Sequence, residues 1–272
     1  MSALAGRVAV VTGASRGIGR AVALALARQG CGVVIAAKSV ESTDKLPGSI
    51  HTVAAEVEAA GGQALPVQVD VRDEAQVEAL AARTKERFGR IDVLINNAGA
   101  LWWRPLLDTP AKRFDLVMGV NARAAFLCCR AVLPLMIERR WGHIINMSPP
   151  LDPAMVPGRI AYSISKLGMT LLTHGLAEEV KSHNVAVNSL WPATIIESLA
   201  SINFGLGTPA MWRKPDILAD CVVRLASKEP GAITGRALID EDFLRAEGVT
   251  DLSGYACVPG TNPRRVSWGD HG

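Results

Sequence analysis

Tyr162 and Lys166 stand four residues apart in the run Ala161-Tyr162-Ser163-Ile164-Ser165-Lys166. At that spacing two side chains share one face of a helix. A phenol holds its proton until about pH 10, too high for an acid or base working at neutrality. A nearby ammonium group favours the phenolate and brings that value down, so the pair could pass a proton to or from an alcohol oxygen. Tyrosine and lysine also meet at this spacing on many ordinary helix surfaces, so the pair gains meaning only from its surroundings.

A second group lies at the other end of the chain. Thr12-Gly13-Ala14-Ser15-Arg16-Gly17-Ile18-Gly19 joins an apolar run to an Ala- and Leu-rich segment. Its glycines are spaced G-xxx-G-x-G, not the G-x-G-xx-G of the larger dinucleotide fingerprint. The physics is shared: glycine lets backbone approach a pyrophosphate, and a helix N-terminus offers free N–H groups and a positive dipole end. A glycine turn without a ligand is the plainer alternative. An acid at the end of the second strand would grip the adenosine ribose hydroxyls and repel a 2′-phosphate. Here that strand ends Ala36-Ala37-Lys38. Lys38 and Arg16 could flank a phosphate, with Ser15 or Ser39 donating to it. The reading favours NADP, leaves NAD possible, and has ordinary surface cations as its alternative. Asp70, with Val71, closes the third strand. Asp70 could receive the adenine amino group or cap the helix that starts at Glu74.

The elements that must position these residues alternate. Strands are expected at residues 7–12, 32–37, 64–69, 93–95, 143–147, 185–190 and 237–239, and helices at 18–29, 53–60, 74–88, 114–136, 162–181 and 217–227. Apolar strands alternating with helices predict a doubly wound α/β Rossmann domain, 1–240, with about seven parallel strands. From residue 241 the pattern is irregular, and 241–272 is expected to pack on the same domain or on a partner subunit.

With 272 residues and 49% hydrophobic content, one large domain has ample core. A net charge of +3 with scattered basic residues argues against nucleic acid. Five cysteines without a CxxC or ligand spacing read as thiols in a reducing, cytoplasmic setting, and five histidines without HxxxH or HExxH predict no metal. No apolar stretch of membrane-spanning length is apparent, the N-terminus runs directly into a strand, and Asp270-His271-Gly272 is not a peroxisomal address.

Assembled, these residues resemble the short-chain dehydrogenase/reductase family from about residue 5 to 240. The likeness rests on the Thr12–Gly19 loop, Asn96-Asn97-Ala98-Gly99, Asn121, Ser148, Tyr162, Lys166 and Pro192, in the family's order. Ile35-Ala36-Ala37-Lys38, Asn146-Met147-Ser148-Pro149-Pro150-Leu151, Ala186-Val187-Asn188-Ser189-Leu190-Trp191-Pro192 and Ile239-Asp240-Glu241 resemble its hydroxysteroid dehydrogenase-like (type 2) subgroup. Longer members of that subgroup add a sterol-carrier domain, which these residues do not include. The resemblance implies roles. Tyr162 would be the general acid/base, and Lys166 would lower its pKa and bind the nicotinamide ribose. Asn121 would hold a relay water, and Asn97 would support the central strands and the cofactor, although buried amides often only satisfy backbone. Gly13, Ser15, Gly17, Ile18, Gly19, Ala98 and Gly99 would line the cofactor, and Ile195, three after Pro192, would sit near the carboxamide.

One position departs from the family, which places a catalytic serine thirteen residues before the tyrosine. That position is Pro149 here, and proline has no donor. Either the loop 149–159 lets Ser148 reach the substrate oxygen, or Ser148 bonds only backbone and the site lacks a donor worth ~10²–10³ in rate. Leu101-Trp102-Trp103, Met155-Val156, Ile195-Ile196, Leu199, Phe204 and Met211-Trp212 follow strands or fall in the expected lid. They favour a hydrophobic alcohol or carbonyl, with some of them core or interface residues. Arg104, Arg159 and Arg213 keep an acid or acyl substrate open. The expected activity is NAD(P)-dependent alcohol–carbonyl interconversion in a homodimer or homotetramer; the alternative is a cofactor-binding regulator or scaffold with weak chemistry.

Overall fold

The computed structural model describes residues 2–44, 46–150, 152, 153 and 156–266. Leu151, Met155 and 270–272, which entered the reading above, lie outside the described residues. The first half of the chain forms β1 (Val8–Thr12), α1 (Gly17–Arg28), β2 (Gly32–Ala37), α2 (Ile50–Ala59), β3 (Gln63–Gln68), α3 (Glu74–Phe88) and β4 (Val93–Asn96). Next come α4 (Ala111–Met118), α5 (Ala124–Arg139), β5 (Gly142–Asn146), α6 (Ile160–Glu179) and β6 (Val185–Trp191). The remainder holds β7 (Ile195–Ile196), α7 (Leu199–Asn203), β8 (Trp212–Arg213), α8 (Asp216–Ala226), β9 (Ala237–Ile239) and α9 (Asp240–Ala246).

Seven strands pair in parallel in the order β3-β2-β1-β4-β5-β6-β9, the doubly wound sheet the alternating pattern predicts. Side chains alternate between its faces. Ala9 and Val11 of β1 join the core under α1, α2 and α8, whereas Val8 and Val10 join the core under α3, α5 and α6. The chain leaves β1 toward β2 and β3, then returns across the sheet to β4. Connections therefore diverge at the carboxyl ends of β1 and β4 and open a crevice there. Thr12 bridges that crevice. Its hydroxyl donates to Ile95 O at 3.2 Å and accepts the N–H groups of Asn97 and Ala98 at 3.0 and 3.1 Å.

Four features differ from expectation. The helix expected over 114–136 is two helices joined by a π-helical turn at Gly119–Arg123, where the Ala124 N–H reaches Gly119 O. The combined stretch Ala111–Arg139 has the length and apolarity to cross a membrane, contrary to the expected absence of such a stretch. Yet α5 packs on β4 and β5, which accounts for its apolar face without a membrane. The segment after 240 is not irregular: α9 forms with Asp240, Glu241 and Asp242 in its first turn, favourable at a helix N-terminus, and with Phe243 and Leu244 in the core. Finally, α3 is capped by Asp73, whose carboxylate accepts the Gln76 N–H at 3.2 Å, and not by Asp70.

Candidate active site

A cavity of about 1120 Å³ opens along the carboxyl edge of the sheet. Gly13, Ser15, Arg16, Gly17, Ile18, Gly19, Lys38, Asp70, Val71, Asn97, Ala98 and Gly99 line it, together with Tyr162 and Lys166. Pro192 and Ile195, expected beside a cofactor, are not on its wall. Trp191, Glu197, Ser198, Lys214 and Cys257 are, and the sequence reading did not single them out for the site. Their one sequence signal is that most follow the carboxyl end of β6.

Tyr162 and Lys166 occupy the first two turns of α6 and are both buried. Lys166 Nζ donates to Met147 O at 2.7 Å, lies 6.0 Å from the Tyr162 ring centroid and sits 5.4 Å from the Trp191 ring. Trp103 stands edge-on to Tyr162 at 6.1 Å, with Arg159 over the indole at 4.7 Å. Burial governs both titrations. It pushes the Lys166 ammonium down to about 7 and holds the Tyr162 phenol above its ordinary value, with the Arg159 charge opposing the latter. The expected ammonium-stabilised phenolate is therefore not the resting state. Desolvation favours the neutral form of each group.

At Gly13 and Gly19 the loop has room for backbone only. A Cβ on Gly19 would fall 2.4 Å from Gly13 O and 2.6 Å from Asn97 Nδ2. Gly13 and Gly17 have φ of +65° and +53°, the left-handed region that glycine enters without strain. Asn97 binds the loop to the sheet, its Nδ2 donating to Thr12 O at 2.9 Å and to Gly13 O at 3.3 Å. This cradle, opening onto the N-terminus of α1, fits a pyrophosphate.

At the far end of the cavity Lys38 Nζ pairs with Asp70 at 3.2 Å, and Asp70 also holds Arg72 at 2.6 Å. Those cations, Arg72 first, keep the Asp70 carboxyl well below the usual range. Arg16 reaches across to Ser39 Oγ at 3.0 Å and donates to the carbonyls of Pro47 and Gly48 at 3.0 and 2.8 Å. Asp70 is thus already neutralised by its partners.

Asn121 sits in the π-helical turn, a feature frequent at functional sites. Its amide clamps Ala100, accepting that N–H at 2.8 Å and donating to that carbonyl at 3.0 Å, and donates to Ser165 Oγ at 2.8 Å. Ser165 Oγ in turn donates to Tyr162 O at 2.7 Å, so Asn121 ties the Gly99–Ala100 wall to the tyrosine's own backbone. Ser148 is fully buried, and its hydroxyl accepts from Thr170 Oγ1 at 3.0 Å. It lines neither the large cavity nor the small pocket beside it. Pro149 does line that small pocket, with Tyr162, Val156 and Leu167.

Of the apolar candidates, Leu101 and Leu199 line the cavity, while Phe204 and Met211 are about half exposed. Trp212 is buried, its indole N–H donating to Leu206 O. Arg213 is no substrate ligand: it is buried in an ion pair with Glu241. Among the described residues no group of three His, Cys, Asp or Glu side chains could hold a metal.

Residues 7–201 match the family model of short chain dehydrogenases. The Xenopus tropicalis protein named hydroxysteroid dehydrogenase-like protein 2 is 46% identical over 260 residues, which cover 94% of this chain and 62% of that one. The chain thus spans less than two thirds of that relative's length. A crystal structure of a Xanthomonas campestris protein superimposes with a TM-score of 0.92 at 46% identity, covering 96% of this chain and 97% of the other. A metagenomic short-chain oxidoreductase in complex with NADP superimposes with a TM-score of 0.75 at 35% identity, covering 88% and 98%.

Proposed function

The chain belongs to the short chain dehydrogenase family, and we propose that it is an NADP-dependent oxidoreductase of the hydroxysteroid dehydrogenase-like protein 2 type, interconverting a hydrophobic alcohol and its carbonyl. The observation that carries this reading is the buried Tyr162–Lys166 pair on the wall of the cavity that also holds the glycine loop. When bound, the nicotinamide would accept or supply the hydride. Tyr162 would take the alcohol proton or return it to the carbonyl oxygen. Lys166, able to shed its own proton near neutrality, would relay it. The backbone of Gly13–Gly19 would hold the pyrophosphate, and Asn97 and Asn121 would keep the surrounding walls in register. Lys38, with Ser39 beside it, would meet a 2′-phosphate. The NADP in a solved relative supports that preference.

A second reading has its own support. With Ser148 turned to Thr170 and proline at 149, the substrate oxygen has Tyr162 as its named donor. That suits a cofactor-binding regulator or scaffold with weak chemistry. Turnover of hydrophobic aldehydes and ketones with NADPH and NADH separates the two. An enzyme reduces some of them, prefers NADPH, and loses at least ~10²-fold in kcat on Tyr162→Phe. Tight NADPH binding without turnover in the parent would favour the second reading. Lys38→Asp should reverse the cofactor preference; equal affinities for both cofactors in parent and variant would show that Lys38 does not select between them.

A further inference from the structure

The wall of the cavity between β6 and α8 has little structure of its own. It runs from Ala193 to Lys214, and Glu197, Ser198, Leu199, Ala200 and Ile202 face the cavity. Its elements are two strands of two residues, one helix of five and a 3₁₀ turn of three. Neither so short a helix nor a two-stranded ribbon is stable alone.

Both ends of this lid are fastened to one dipeptide, Asp240-Glu241, where β9 meets α9. At the entry, Ala193 N–H donates to Asp240 Oδ1 at 2.8 Å, and the same oxygen takes the Glu241 N–H at 2.7 Å. At the exit, Arg213 Nε and Nη2 donate to Glu241 Oε1 at 2.9 and 2.8 Å, the two side chains being 4% and 2% exposed. Arg213 Nη1 donates to Leu252 O at 2.9 Å. The chain end adds a third hold. Val266 N–H donates to Ala193 O at 2.7 Å, and Arg265 forks onto Asp242 at 2.6 Å on both oxygens. A buried cation released from its carboxylate is strongly unfavourable, so the exit anchor is close to all-or-none.

We propose that Asp240 and Glu241 are positioning residues that hold the 193–214 lid closed over the cavity, with residues 252–266 completing the clamp. The proposal rests on the reading of the cavity as a dinucleotide site. It assigns a role to the Ile239-Asp240-Glu241 run and to a chain end that the chemistry at Tyr162 does not use. Asp240 Oδ2 makes no hydrogen bond. The entry anchor therefore needs the acceptor Oδ1 and not the second oxygen, which makes asparagine a rescuing substitution.

The test combines amide hydrogen exchange, read by mass spectrometry on the full chain, with the NADPH release rate in stopped flow. Asp240→Ala and Glu241→Gln should speed exchange in peptides covering 193–214 by about tenfold or more while leaving β1, β4 and β5 as in the parent. NADPH release should quicken by a similar factor, and Asp240→Asn should match the parent on both. Asp242→Ala, on the surface, keeps the test open if the buried variants fail to fold; it should speed exchange around Ala193. Unchanged protection of 193–214 in every variant that folds, equal damage from asparagine and alanine, or faster exchange spread evenly over the sheet would each overturn the proposal. Should the parent not bind NADPH, the cofactor reading fails, while the exchange comparison still decides the clamp.

Discussion

Lys166 is a cation placed where charge is unfavourable, and that has a consequence for stability. The folded chain sheds the lysine proton near pH 7, the unfolded chain near 10.5, so stability rises with pH across that window and is lowest below it. The full shift corresponds to about 5 kcal/mol, an upper bound on the burden at pH 6. Lys166→Met should therefore raise Tm at pH 6 and abolish turnover, with the gain shrinking as pH climbs from 7 toward 10. Thermal unfolding at pH 6 and pH 9 checks it; a gain that grows with pH would contradict the burial argument. Ser148 invites a second comparison at this scale. Its hydroxyl is occupied by Thr170 and lies off the cavity wall, so Ser148→Ala should lower kcat less than about tenfold, against the ~10²–10³ expected of a direct donor. Pro149→Ser, which puts a hydroxyl on the wall of the pocket beside Tyr162, should raise turnover. A large loss in Ser148→Ala with no gain in Pro149→Ser would reinstate Ser148 as the donor.

The glycine loop and the lid show why some elements were legible in the sequence and others were not. Loop 12–19 announces itself because its reasons are local: a strand, glycines at fixed intervals, a helix start. Even so, the chain pattern does not separate the three glycines. Gly19 is closed by sterics, since a Cβ there meets backbone at 2.4 Å; Gly17 has open space and only its φ of +53° to defend. Gly19→Ala should destabilise by about 1–3 kcal/mol and weaken NADPH strongly, whereas Gly17→Ala should cost about 1–2 kcal/mol. Denaturant unfolding and NADPH titration compare them; equal effects would mean that loop space is not what Gly19 protects. The lid was missed because it is specified at a distance. Nothing within 193–214 states that Ala193 and Arg213 are held from residues 240 and 241. The π-helical turn at Asn121 was equally hidden, because the apolar spacing runs through it unbroken. The family resemblance places Pro192 and Ile195 beside the cofactor, yet the lid presents Glu197 and Ser198 to the cavity instead.

The whole molecule leaves an apolar stripe uncovered. The doubly wound parallel sheet was readable because alternating strands and helices admit few arrangements, and the core closes over both sheet faces as that pattern demands; the strand order was not read from the pattern and comes from the structure. On the outer side of α6 large apolar side chains are exposed. Ile164 and Leu171, seven residues apart on one side of α6, are 44% and 72% exposed, and Phe126 on α5 is 52% exposed. Gly175 falls on the same side with open space where a Cβ would stand, whereas Gly168 packs against Ala122. An exposed apolar stripe on a long helix matches a second copy of itself related by a two-fold axis, because each helix then covers the other's stripe with the same residues. The expected state is a homodimer through α5 and α6, or a homotetramer built from it. Leu171→Glu would place a charge at the most exposed point of the stripe, far from Tyr162 and Lys166 on the buried side of the helix. Sedimentation at micromolar concentration should give a dimer or tetramer for the parent and a smaller species for the variant, whose Tm should fall little when measured well below the parent's dissociation range. A parent that sediments as a monomer, or a variant that sediments with it as the same oligomer, would show that this stripe is not the interface.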